Sequence, residues 1–328
     1  MAGSPLIATA LTTPLAFTPV FMERVWGGRR LAERFGKQLP PQATIGESWE
    51  LVDRSDTQSV VRDGPLTGAT LHELWTAQRR EIFGERALAI DRPRFPLLIK
   101  LLDACQTLSL QVHPPPELAA ELGGEPKNEV WYIADTADGA HLYLGLRAGV
   151  TRASFEQHLR AGDDVSALLQ RVTIRAGDAA FIPGGRVHAI GAGCLIVEVQ
   201  QNSDTTYRAF DFNRAGLDGR PRELHVEESL RSIDWGDIEP ALEPAPTDGE
   251  TVIDNDDFVV RRWALDAPRP AAPTGSCAVV CVLTGMVTCG GAGFGRGDFF
   301  LVPAELSDRT LTPGDSGAEL LQIGLPQR

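Results

Sequence analysis

Short runs of apolar or alternating residues, each stopped by Gly, Pro or Asp, constrain this chain more than any other feature it has. Pro96 to Leu102, Leu108 to His113, Glu129 to Ala134, Ala179 to Ile182 and Cys194 to Gln200 are the clearest. That punctuation suits the strands of a sandwich or barrel rather than βαβ units. Two segments read as helical instead. Thr70 to Gly84 carries Leu71, Leu74 and Trp75 at helical spacing, and Arg152 to Val172 carries Phe155, Leu159, Leu168 and Leu169. Gly162 is expected to split the second. The fold class is therefore mainly β, with added helices.

A weak internal repeat organises the chain. Gly177-Asp178-Ala179-Ala180-Phe181-Ile182-Pro183 resembles Gly297-Asp298-Phe299-Phe300-Leu301-Val302-Pro303. The first copy leads to His188, whereas the register-matched position of the second is Asp308. The repeat implies two jelly-roll modules, with metal chemistry kept only in the first. Residues 1–235 are expected to form the metal-binding catalytic module, with a helical insertion around 151–172. Gly236 to Glu250, rich in Pro, Glu and Asp, reads as a linker. Residues 251–328 are expected to form a smaller β module without metal ligands. It holds the runs Phe258 to Leu265 and Ala278 to Thr284, with the Pro/Ala stretch Ala267 to Pro273 between them. Gly290, Gly291 and Gly293 read as a hairpin turn, not a nucleotide cradle.

The candidate chemistry lies in the first module. Between Thr107 and His113 the leucines and Val112 alternate with Ser109, Gln111 and His113. A strand places residues i and i+2 on one face, so Gln111 and His113 point away from the apolar side, and Lys127 shares a face with Glu129. With His188, the set Gln111, His113, Glu129 and His188 offers two imidazoles, one carboxylate and one amide oxygen to a divalent metal. The neutral glutamine oxygen would leave the ion net positive and so preserve its pull on substrate oxygens. His72, His141, His158 and His225 sit in helical or turn-like contexts and read as bland.

Bulk properties narrow the function classes. The 328 residues suffice for about two domains. A formal net charge of -13 argues against a non-specific nucleic-acid partner, which needs a basic face. The five cysteines show no CxxC spacing, so thiols in a reducing compartment are expected. Leu6 to Leu15 is interrupted by Thr9, Thr12, Thr13 and Pro14, which reads as neither signal peptide nor membrane span. The expected location is cytoplasmic, with no membrane partner, as a monomer or homodimer. Neither a GxSxG elbow nor a GxxxxGK[ST] loop occurs.

Seven motifs in one order then resemble a known family. They are Glu23-Arg24-Val25-Trp26-Gly27-Gly28, Gly46-Glu47-Ser48-Trp49-Glu50, Leu97-Leu98-Ile99-Lys100, Gln111-Val112-His113-Pro114, Lys127-Asn128-Glu129-Val130-Trp131-Tyr132-Ile133, Pro183-Gly184-Gly185-Arg186-Val187-His188-Ala189-Ile190 and Ser203-Asp204-Thr205-Thr206-Tyr207-Arg208. Together they resemble type I mannose-6-phosphate isomerase in its short bacterial form, from about Phe17 to Trp235. The resemblance implies paired cupin jelly rolls with added helices, one Zn2+ per chain, and a phosphosugar substrate. It implies exchange between mannose 6-phosphate and fructose 6-phosphate. Where family members often follow His-Pro with acidic residues, this chain has Pro114-Pro115-Pro116-Glu117.

Aldose–ketose exchange moves a proton between adjacent carbons through an enediolate, and the costly feature is negative charge on their oxygens. Lys127, Glu198 and Arg208 are expected to share ring opening, proton transfer and anion contact. Lys100 and Lys127 are two of only three lysines in an arginine-biased chain, which suits proton transfer or phosphate contact, though Lys100 also reads as a snorkelling surface residue. Glu198 lies inside a buried-looking strand and needs a partner, with Arg208 one choice. By resemblance Arg208 is a catalytic or substrate-orienting arginine, the alternative being a pair with Glu198 or Asp204. Ser109 and Lys100 are candidate substrate contacts. Two rivals stay open. His113, Glu129 and His188 alone would suit an iron-dependent cupin oxygenase. A non-catalytic sugar-phosphate-binding cupin is the other.

Overall fold

Strands account for most of the regular structure. The computed structural model describes residues 11–243 and 250–326. The expected strands form with small shifts, as Leu97–Ala104, Leu110–Val112, Glu129–Thr136, Ala179–Ile182 and Cys194–Gln201. The second helical segment is cut as its glycine requires. Arg152–Ala161 is a helix closed by Gly162 at φ 77, and after one turn of 3-10 helix Leu169–Thr173 is a strand. The expectation of helix out to Val172 is corrected there. Leu169 is buried in the core while Gln170 and Val172 face the other way, a period of two.

The residues divide into two compact units, each drawn from separated stretches of chain. Of the described residues, one unit takes 21–49 and 98–243; the other takes 11–20, 50–97 and 250–326. The expected single cut at 236–250 differs from this interleaving. Leu15–Ala16 pairs with Phe299–Val302, and Gly84 bridges Ser276, so early segments complete the C-terminal roll. Residues 244–249 of the expected linker, and 1–10 of the leader reading, lie outside the described residues. The described part of the linker is not a tether: Ile238 bridges Leu146, and Glu243 N–H donates to Ala179 O at 2.9 Å.

The site-bearing unit is a roll of two antiparallel sheets. Five strands run in the order Tyr207–Phe210, Leu110–Val112, His188–Ile190, His141–Leu146, Leu169–Thr173. Six run Val20–Gly28, Ile45–Leu51, Leu97–Ala104, Cys194–Gln201, Glu129–Thr136, Ala179–Ile182. Alternation sorts most of the five-stranded sheet, apart from register shifts after Arg208 and after Tyr143. Leu110, Val112, Ala189, Tyr207 and Ala209 pack outward, in one cluster with Phe155, Leu159 and Leu230 of two covering helices. Gln111, His188 and Arg208 therefore point inward. A second cluster, with Trp131, Ile133 and Ile196 from one sheet and Leu142, Leu144 and Ile190 from the other, fills part of the interior. Fully burying one such side chain contributes about 1.5–3 kcal/mol.

The other unit carries an eight-stranded sheet built mainly on Ala278–Cys289 and Thr310–Gly324. Among the described residues no helix is long and apolar enough to cross a membrane, and the five cysteines form no disulfide.

Candidate metal centre and active site

His188 and Gln111 are direct cross-strand partners, and Gln111 is likewise opposite Arg208 on the next strand. The three therefore make one inward-facing row across three strands. The strand Leu110–Val112 ends one residue before His113, yet the His113 imidazole is fixed by its own contact, Nδ1 with Thr205 O at 2.9 Å. His188 Nδ1 likewise contacts Arg186 O at 2.8 Å. A carbonyl at Nδ1 demands a proton there, so both rings present the Nε2 lone pair inward. Both Nε2 atoms approach Glu129 Oε1, at 3.4 Å from His113 and 3.6 Å from His188.

Donor atoms of His113, Glu129 and His188 all lie within 4.8 Å of one another, and all three residues are buried. Among the described residues His188 Nε2 has no hydrogen-bond partner. A buried lone pair without a donor costs about 1–3 kcal/mol, and a cation between the two rings and the carboxylate would satisfy it. Burial, with His113 beside it, pushes the His188 imidazole down to about 3, and burial lowers His113 as well. Both rings are thus neutral, the ligand form. Burial alone would raise the Glu129 carboxyl, but the Lys127 ammonium beside it holds it well below the usual range. The donor set fits a divalent ion. Gln111, half-buried, stands across from His188 as the remaining candidate.

Beside these donors opens a cavity of about 540 Å³, lined by Lys100, Ser109, Gln111, Lys127, Glu198 and Arg208 among others. Every catalytic and substrate-contact candidate of the sequence therefore converges here. Lys127 Nζ lies 2.9 Å from Glu129 Oε2 and 3.2 Å from His113 Nε2. Glu198 finds its partner in Lys100, at 3.1 Å, rather than in Arg208. Its other oxygen accepts from Trp131 Nε1 at 3.1 Å. Burial raises the Glu198 carboxyl, and the Lys100 ammonium offsets only part of this. Lys100 is buried, not a snorkelling surface residue, and its ammonium sits 5.3 Å over the Trp49 ring. Arg208 forms no ion pair with Glu198 or Asp204; it donates to Glu223 O at 2.7 Å.

Several residues gain roles that sequence reasoning did not assign. Glu47 lines the cavity and accepts a fork from Arg24, at 3.0 and 3.2 Å, and Trp49 Nε1 at 2.7 Å. Burial would raise its carboxyl, but Lys100 and Arg24 lower it, so it stays an anion beside Lys100. The motif Gly46-Glu47-Ser48-Trp49 was the signal. His225, read as bland, braces Arg208: its Nδ1 accepts from the Arg208 backbone N–H at 3.2 Å. Asn128 Oδ1 accepts from Gly184 N–H at 2.9 Å, tying the Glu129 strand to the turn before His188. Gly184 is required there, because a Cβ would lie 2.9 Å from Pro114 O and from Pro115 Cα. The proline-rich departure after His113 is thus packed against that turn.

Comparison with known proteins agrees with the geometry. The family profile "Phosphomannose isomerase type I, catalytic domain" matches residues 15–140. The probable mannose-6-phosphate isomerase GmuF of Bacillus subtilis (strain 168) is 38% identical over 312 residues, covering 92% of this chain and 96% of that protein. The crystal structure of mannose 6-phosphate isomerase from Bacillus subtilis superposes with TM-score 0.83 at 32% identity, covering 95% of this chain and 100% of that one. A zinc-bound mannose 6-phosphate isomerase shares the fold at 17% identity and TM-score 0.78, covering 96% and 100%. A buried two-histidine, one-carboxylate cluster beside a polar cavity, in a chain alike over its length to such enzymes, decides the matter: this chain belongs to the type I phosphomannose isomerase family.

Proposed function

We propose that this chain interconverts mannose 6-phosphate and fructose 6-phosphate through an enediolate, with one zinc ion held by Gln111, His113, Glu129 and His188. The observation that carries the reading is the convergence of His113, Glu129 and His188, joined through Lys127 to a cavity lined by Lys100, Glu198 and Arg208. Zinc is favoured by the imidazole and carboxylate donors and by the zinc-bound relative of the same fold. Once bound it supplies Lewis-acid stabilisation of charge on the sugar oxygens, worth several kcal/mol.

The chain's own groups divide the remaining work. Glu198, raised by burial and flanked by Lys100, is suited to take a proton from one sugar carbon and return it to the next. Lys100 and Lys127, both lining the cavity, stand as proton donors or contacts for the sugar oxygens. Ser109 offers a hydroxyl to the substrate, and Arg208 an anion contact. Five free cysteines support a reducing, cytoplasmic setting.

The test is a coupled assay on purified, zinc-loaded protein with fructose 6-phosphate, run also in deuterated water. Turnover with deuterium appearing at the carbon that receives the proton supports the enediolate. Oxygen uptake without isomerisation would point to the oxygenase, and binding without turnover to the binding module; either would end this reading.

A further inference from the structure

We propose that Arg222, anchored by Asp211, is a second phosphate contact of the cavity, acting with Arg208; this rests on the phosphosugar reading above. Arg222 lines the same cavity as Arg208 and Gln111. Its guanidinium forks onto Asp211, with Nε 2.6 Å from Oδ2 and Nη2 on Oδ1. A guanidinium carries five N–H donors, and no other hydrogen bond of the Arg222 side chain is found among the described residues. Asp211 is buried and also holds Arg214 Nε at 2.9 Å. Arg208, Arg214 and Arg222 gather at this end of the cavity, and the planar guanidinium fork is the side chain that matches a phosphate bidentately.

Arg208 is tied less tightly. It donates one bond to Glu223 O, and its Nε is buried with no hydrogen-bond partner among the described residues. Of the other carboxylates on this wall, Asp218 accepts the Arg220 backbone N–H at 3.0 Å and Asp204 is exposed, and among the described residues neither forms an ion pair with Arg208 or Arg222.

Placement agrees with charge. Arg208 and His188 flank Gln111 in the row of cross-strand partners, two strand spacings apart, about 10 Å. An open-chain sugar with its carbonyl end at the buried donors and its phosphate at Arg208 and Arg222 fits that separation. Asp211 is then a positioning residue: it spends two donors of Arg222 on a rigid anchor and aims the others.

The test titrates inorganic phosphate into the zinc-loaded protein by calorimetry, for wild type, Arg222→Ala, Arg222→Gln and Asp211→Asn. Loss of a charge-assisted pair should weaken phosphate binding about 10- to 100-fold in both Arg222 variants. In Asp211→Asn the loss should be smaller. In the isomerase assay the damage should fall on KM more than on kcat. Arg222→Gln keeps a hydrogen bond to Asp211 and guards against misfolding of Arg222→Ala. Phosphate affinity equal to wild type in either folded Arg222 variant overturns the inference. If wild type fails to isomerise phosphosugars, the function above falls, and the phosphate titration still decides this site.

Discussion

The two β rolls of this chain can be compared position by position, because the sequence repeat is also a hydrogen-bond repeat. In the first, Gly177 N–H donates to Ile133 O and Ile133 N–H to Asp178 O, at 2.8 and 2.9 Å. In the second, Gly297 N–H donates to Val282 O and Val282 N–H to Asp298 O, at 2.8 and 3.0 Å. Glu129 pairs with Ile182 in one roll, and Ala278 with Val302 in the other. Trp131 answers to Val280, and Glu198 to Gln322. Asp308, the counterpart of His188, is exposed. The second interior is instead filled by Val280, Val282, Phe300 and Leu320. One backbone pattern thus supports two uses. Charge belongs inside a roll only where partners meet it, since an unpartnered buried charge costs several kcal/mol.

The largest effect should follow from removing a donor in the first roll. His188→Ala should lose zinc and isomerase rate together, by about 10³-fold or more in rate, whereas Asp308→Ala should leave both as they were. Metal analysis beside the coupled assay reads this, and activity surviving without zinc would break the assignment. Glu198→Gln should lower kcat by about 10²–10⁴-fold. The sign of its pH effect follows from burial: with the carboxyl raised, the reactive carboxylate form is lost as pH falls, from above the ordinary glutamate range, and the variant should lack that acid limb.

Placing the charge in the other roll sharpens the comparison. Ala278→Glu would bury a carboxylate among apolar neighbours and should cost about 3 kcal/mol or more, seen as a lower Tm, with no second zinc bound. A variant as stable as wild type would mean that the two interiors differ less than their side chains imply. The smallest effect concerns Asp211. Burial would raise its carboxyl, but Arg222 and Arg214 hold it below the ordinary value. A group lowered in the folded state stabilises above its unfolded pKa, and that stability is lost as pH falls. Thermal melts from about pH 6 to about pH 3 should therefore decline less steeply in Asp211→Asn than in wild type.

Much of the site was legible because strand periodicity acts locally. Alternation through Leu108 to His113 and at Lys127 and Glu129 decides which side chains share a face, whatever the rest of the chain does. The repeat at Gly177 and Gly297 was legible for the same reason: a glycine at positive φ before a strand leaves a local mark. Long-range partnership was not. Glu198 was assigned no particular lysine by its own strand, and only the adjacency of Leu97–Ala104 and Cys194–Gln201 brings Lys100 to it. Arg222 lies in a stretch with no strand pattern, so nothing local marked it.

The sequence by itself determined the β class, the seven motifs, and the candidate donors His113, Glu129 and His188, because residue type and a period of two are properties of short segments. Only the tertiary structure decided that residues 50–97 join the C-terminal roll, that Lys100 is buried against Glu198, and that Arg222 lines one cavity with Arg208. Those outcomes depend on which distant strands become neighbours, a choice made by burial summed over the whole chain rather than by any segment alone.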